Sequence, residues 1–229
     1  MLKPRKKITI KEIKRDPLLE TTYKVQSYIA ENRPVLLRAL GVVVVVVVAA
    51  ILLIGRFSTA NREAQTAIGK ALVAYSQGDL DNARFQFEYV NDQYGKTDQG
   101  TLAVYYLGKI KFDQGQLAEA RKNLETFVKA SKVDLLTSNA YSILADIYHQ
   151  EGNLEQAITK MKAAVKFAGT KSDQFNKQLL LAGLISEQGQ LEEAQRIITK
   201  ILAEEALPTG VKRQAEEMSG KLQMLADRR

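Results

Sequence analysis

The chain has no cysteine and no tryptophan, one histidine and four prolines in 229 residues. Without cysteine there are no disulfides, no thiolate metal ligands and no cysteine nucleophile, and either redox compartment stays open. The single histidine, His149, cannot build a metal cluster alone, and no serine–histidine–aspartate set assembles around it by spacing. No G-x-G-x-x-G or Walker-type run offers a phosphate cradle. Paired carboxylates occur only as neighbours: Glu192-Glu193, Glu204-Glu205 and Glu216-Glu217. Adjacent residues on a helix point about 100° apart, so these are solvated faces and not acid–base dyads. These gaps argue against an enzyme, a cofactor, a metal site and a small-molecule substrate.

The longest feature present is apolar. From Ala39 to Gly55, through seven consecutive valines at Val42 to Val48, 17 residues carry no charge, and Arg38 and Arg56 bound them. As a helix this run spans roughly 25 Å, and extension over 35–57 brings it to the ~30 Å of a bilayer core. A buried strand would not be this long, so the run predicts a transmembrane helix over 35–57. A cleaved signal peptide fits less well, because about 38 residues precede the run and the run exceeds the usual 7–15. Residues 1–38 hold 10 Lys/Arg against 4 Asp/Glu, leaving 23 against 22 for the rest of the chain. The basic excess therefore lies beside the span and not on the folded part. That is the positive-inside pattern, which places the N-terminus in the cytoplasm and makes nucleic-acid binding an unneeded reading.

Residues 1–34 then form a basic tail, with Pro4 and Pro17 in its first half. Leu18, Leu19, Val25, Tyr28 and Ile29 can share one helical face, either on the membrane surface or as a solvated juxtamembrane segment. Asn32-Arg33-Pro34 predicts a break, with Pro34 suited to the first turn of the span.

Beyond Arg56 apolar residues recur three and four apart, which is the signature of amphipathic helices. Four segments repeat without a gap: Gly78-x-Leu80-x-x-Ala83, Gly115-x-Leu117-x-x-Ala120, Gly152-x-Leu154-x-x-Ala157 and Gly189-x-Leu191-x-x-Ala194, each glycine 37 residues after the last. Each glycine is expected to close a helix in the left-handed conformation, with the next polar residue in the turn. The leucine is expected to be the first buried residue of the second helix, and the small alanine to allow close approach. Leu107-Gly108, Leu144-Ala145 and Leu181-Ala182 supply a large–small pair on the first helix, where repeat one has Lys70-Ala71. Phe87, Leu124, Met161 and Ile198, and Val90, Phe127, Ala164 and Ile201, recur at the same period on the second helix.

This pattern resembles the tetratricopeptide repeat, with a period of 37 in place of 34. The resemblance implies an all-α chain: one N-terminal transmembrane helix, then a right-handed α-solenoid over 58–229. Four hairpins are expected at about 61–97, 98–134, 135–171 and 172–208, with a capping helix at 210–227. In the repeat's register the first helices line a concave groove. Its expected lining is Gln65, Ile68, Leu72 and Tyr75, then Leu102, Tyr105, Lys109 and Phe112, then Asn139, Ser142, Asp146 and His149, with Asn176, Leu179 and Ser186 from repeat four. The Lys/Asn/Arg set by which some relatives clamp a C-terminal carboxylate is missing at these places. An extended or helical apolar peptide suits the groove better.

Tyr28-Ile29-Ala30-Glu31-Asn32 before the span, followed by the repeats, is similar to the YfgM-type ancillary subunits of the Sec translocon. That resemblance implies a single-pass protein of the bacterial inner membrane with a periplasmic repeat domain. It implies protein partners, among them the translocon and membrane-bound periplasmic chaperones. A structural scaffold of the cell envelope or division machinery is the alternative, and self-association is left open.

Overall fold

The computed structural model describes residue 21 and residues 26–227, except the side chains of 36, 37 and 49–58. Most of the basic tail, including Leu18, Leu19 and Val25, lies outside the described residues. The chain divides into two compact units, Met1–Thr59 and Ala60–Arg229.

In the first unit residues 26–31 are helical and Asn32 turns the chain. The Asn32 N–H and its Nδ2 both donate to the Tyr28 carbonyl, each at 3.0 Å. Helix α1 (Arg33–Ser76) follows, with Pro34 in its first turn, where a missing N–H costs nothing. Val42 to Val48 are 49–67% exposed around the whole helix. Among the described residues no helix is long and apolar enough to cross a membrane. The uncharged run enters that statement only in part, because its second half belongs to the side chains not described.

The second unit is a stack of helical hairpins, with no strand among its described residues. From Ala60 onward α1 supplies the first helix of the first hairpin. The rest are α2 (Leu80–Tyr94), α3 (Asp98–Asp113), α4 (Leu117–Ala130), α5 (Asp134–Gln150), α6 (Leu154–Lys166), α7 (Lys171–Glu187), α8 (Leu191–Leu202) and α9 (Thr209–Ala226). From α2 on, each helix packs against the next, α3 also meets α5, and α7 also meets α9. First helices thus line one side of the stack and second helices the other.

The turns form as the glycine spacing predicts. Gly78, Gly115, Gly152 and Gly189 have φ of 78°, 75°, 76° and 88°, a region that side-chain-bearing residues rarely enter. The residue after each glycine donates its N–H five residues back: Asp79 to Ala74, Gln116 to Lys111, Asn153 to Tyr148 and Gln190 to Ile185, at 2.8–3.1 Å. All four helices therefore close with the same Schellman geometry. Asp79 and Asn153 then cap the second helix by accepting from the N–H of Asn82 and Gln156. Gln116 and Gln190, one methylene longer, make no such bond.

Ala83, Ala120, Ala157 and Ala194 are fully buried, as are Phe87, Leu124 and Ile198. Each large side chain so placed contributes on the order of 1.5–3 kcal/mol through burial. One expectation needs correcting. Leu80, Leu117, Leu154 and Leu191 are only half-buried, because the first turn of each second helix lies at the hairpin tip with one flank in water. The alanine three residues on is the first fully buried position. The small member of the large–small pair has its role at Gly108: a Cβ there would lie 2.8 Å from Leu124 Cγ and 3.3 Å from Asn123 Cβ.

Repeat one departs from the pattern because it is an end. Val73 stands 37 residues before Ile110 and 74 before Ile147, both fully buried against the preceding hairpin, yet Val73 is 55% exposed. Lys70, where the later repeats carry leucine, is exposed as well.

Candidate interaction surfaces of the solenoid

The inner side of the stack changes character along its length. In repeats one and two it is closed by its own contacts. Lys109 Nζ donates to Tyr75 Oη at 2.6 Å and lies 5.2 Å from that ring's centroid. The bond to Tyr75 pushes the Lys109 ammonium pKa up, against the opposing effect of burial. Leu72, Leu102 and Phe112 are half-buried, and Leu102 touches the hydrophobic clusters on both sides of it. Tyr105, expected in the groove, is 4% exposed and belongs to the core, 5.0 Å from the Phe127 ring and 5.2 Å from the Tyr106 ring. Burial pushes its phenol pKa up. Ser142 also turns inward, its Oγ 3.8 Å from Met161 Sδ.

Between repeats three and four a charged group is sealed in. Lys177 is 6% exposed and donates to Asp173 Oδ1 at 2.6 Å and to Asn139 Oδ1 at 3.2 Å. Asn139 is therefore committed to tying α5 to α7. Sequence reasoning missed Lys177, although the repeat marks it: Ala140, 37 residues earlier, is fully buried.

Past this plug the inner side opens into a cavity of about 1060 Å³ between α5, α7 and α9. Leu179, Leu180, Gly183, Leu184, Met218 and Leu225 form its apolar wall. Asp146, His149, Asn176, Ser186, Glu187, Gln214, Glu217 and Lys221 supply its polar rim. Leu180 is 54% exposed within it. His149 Nε2 sits 2.8 Å from Glu187 Oε2, joining the rims of α5 and α7. Asp146 is exposed as a residue, but its carboxyl faces the concavity. Desolvation there raises its pKa, with His149 acting in the opposite direction. The rim carries three carboxylates and one ammonium, so it is net acidic. Among the described residues no group of His, Asp or Glu is arranged to hold a metal.

Of the sequence-expected groove residues, the structure gathers Asp146, His149, Asn176, Leu179 and Ser186 here. It leaves Leu72, Tyr75, Lys109 and Phe112 in the closed half, keeps Gln65 exposed on α1, and buries Ile68, 5% exposed, in the core with Ala71 and Phe87. The contribution of α9 was missed, since that helix was read only as an end cap. Its signal was available: Met218-Ser219 lies 37 residues after Leu181-Ala182, so α9 continues the series of first helices.

The family model described as tetratricopeptide repeat-like domain matches residues 27–194. The chain belongs to the tetratricopeptide repeat-like family. A search of curated proteins finds no match. Among solved structures, the nearly identical TPR-like repeats of a Podosopora anserina chain named for kinesin light chain are similar at 18% identity and TM-score 0.57, over 72% of this chain and 87% of that one. A tetratricopeptide repeat protein from Parabacteroides merdae is similar at 18% identity and TM-score 0.57, over 72% of this chain and 62% of that one. BtubC from P. vanneervenii is similar at 14% identity and TM-score 0.51, over 74% and 90%. At these identities the likeness is one of fold. A tetratricopeptide-like solenoid is a protein-interaction scaffold, and the open cavity is where this one offers an unfilled inner surface.

Proposed function

We propose that the chain is a membrane-anchored scaffold that holds a polypeptide in the groove between α5, α7 and α9. The observation that carries this reading is the groove itself: a cavity of about 1060 Å³ with an apolar wall of Leu180, Leu184, Met218 and Leu225 inside an acidic rim. Residues 35–57 act as the anchor, supported by 17 uncharged residues between arginines and by the basic excess on the N-terminal side. The repeat domain then lies outside the cytoplasm. The run Tyr28 to Asn32 before the anchor favours an ancillary factor of the Sec translocon, which brings membrane-bound periplasmic chaperones to emerging proteins. A fixed scaffold of the envelope or division machinery would use the same groove without passing clients.

Two manipulations test this. Changing Val44 and Val46 to lysine should release the full chain from membranes washed at alkaline pH, while the unaltered chain stays with them. Gly183 has room at its Cβ, where the nearest atom is Met218 Cε at 3.9 Å. Gly183→Trp should therefore fill the groove without disturbing the helix. Loss of co-purifying translocon subunits or chaperones in that variant, at unchanged melting temperature, is the expected result. Their retention would remove the groove from the mechanism, and division proteins in their place would favour the fixed scaffold.

A further inference from the structure

A second surface lies at the C-terminal end, on the opposite side of α9 from the groove. Each second helix in the stack packs against its own first helix and the first helix that follows, and the edges of α6 and α8 meet at Lys162 and Glu193. Helix α9 is the fifth first helix by register, with Met218-Ser219 at the large–small pair and Leu222, 3% exposed, 37 residues after Ile185. Where the four hairpins have glycine, 37 residues after Gly189, α9 has Ala226 and stays helical through it, so no left-handed turn stands at this register position. The corresponding furrow, between α8 and α9, is a cavity of about 510 Å³ lined mainly by apolar surface, with Leu191, Gln195, Thr199, Leu222, Gln223 and Ala226 at its walls.

Two details indicate what fits. Gln195 Nε2 donates to Ser219 Oγ at 2.9 Å, but Gln195 Oε1 is buried without a hydrogen-bond partner, as if a donor belonged beside it. At the preceding repeat this position is Ile158, 7% exposed beneath the following hairpin. The rim carries Arg196, Lys200 and Glu192, a net positive edge. At the preceding step Lys162 Nζ of α6 lies 3.6 Å from Glu193 Oε1 of α8; the register counterpart of Lys162 on α8 is Thr199, which Arg196 and Lys200 flank in the chain.

We propose that the α8–α9 furrow takes one amphipathic helix from a partner protein, completing the fifth hairpin in trans. The repeat specifies that helix. It carries alanine, then a large apolar residue four positions on and another apolar residue seven positions on, as in Ala83, Phe87 and Val90 or Ala194, Ile198 and Ile201. Acidic residues in its first turn face Arg196 and Lys200. Ser219 stands at the register position of Ala145 and Ala182, the small members of the large–small pairs.

The probe is a fluorescent peptide of residues 189–203, a second helix of this same register with Glu192 and Glu193 in its first turn, titrated into the full chain in detergent micelles. Saturable binding is expected. Ala226→Trp and Thr199→Trp, both at exposed positions lining the furrow, should each weaken it at least tenfold, and the peptide with Ile198 and Ile201 changed to Asp should not bind. Gly183→Trp, in the inner groove, should change binding less than twofold. Absence of saturable binding, indifference to both furrow variants, or loss through Gly183→Trp would overturn the proposal. So would a dimer of the full chain that Ala226→Trp dissolves, since the furrow would then be filled by a second copy.

Discussion

At the residue scale, glycines separate into those that permit a turn and those that permit contact. Gly108 is of the second kind: any side chain there enters the space of fully buried Leu124. Gly108→Val should lower stability by about 1–3 kcal/mol through overpacking. Gly220, inside α9 with nothing within 4 Å of a built Cβ, should respond in the opposite direction, Gly220→Ala raising stability by about 0.5–1 kcal/mol through helix propensity. Urea unfolding of the two variants decides both. The sealed lysine makes a similar contrast. Asp173→Ala leaves Lys177 with Asn139 alone and should cost about 1.5–3 kcal/mol, whereas Asp173→Ala combined with Lys177→Met should cost less than Asp173→Ala alone, because no buried ion is then left unpaired. Asp146 yields a pH prediction. Its folded-state pKa is raised, so the folded chain binds a proton more readily there than the unfolded chain does. Stability from this group is therefore greatest below the ordinary carboxylate range and declines as pH rises through the raised value. Asp146→Asn should gain on the unaltered chain between pH 3.5 and pH 7, and an unchanged difference across that range would contradict the desolvated placement.

At the scale of elements, the same apolar residue is worth different amounts according to which repeat holds it. Ile110 and Val73 share a register position, but Ile110 is covered by the first hairpin and Val73 is not. Ile110→Ala should destabilise by about 2–5 kcal/mol, and Val73→Ala by less than about 0.5 kcal/mol. Equal losses would mean that something covers Val73. Helices and turns were legible because they depend on local chemistry: a glycine every 37 residues, a polar residue after it, an alanine five positions on. The identity of the inner surface was less legible. Tyr105 and Phe112 look like groove aromatics in one dimension, yet Tyr105 finds Phe127 and Tyr106, from its own hairpin, before it finds solvent. Asp146 and His149 were found because the first-helix register holds there. Met218 and Leu225 were not, since α9 carries no glycine signature to mark it as a fifth member, and Leu180 of α7 stands one position past the expected Leu179.

At the scale of the whole molecule, the chain joins an apolar run, which water does not tolerate exposed, to a repeat stack whose inner face is closed in its first half and open in its second. Lys177, Asp173 and Asn139 tie α5 to α7 within the open half, and the Lys109–Tyr75 bond lies in the closed one, so occupation of the groove should leave repeats one and two unaltered. The most direct test is a photo-crosslinker at Leu180, on the apolar wall of the groove, in the full chain in living cells, beside one at Thr126, exposed on α4. Adducts with a protein partner from Leu180 that disappear in Gly183→Trp, and none from Thr126, are the predicted outcome. Adducts from Thr126 alone, with Leu180 silent in a folded chain, would contradict the account and put the working surface on the outer helices.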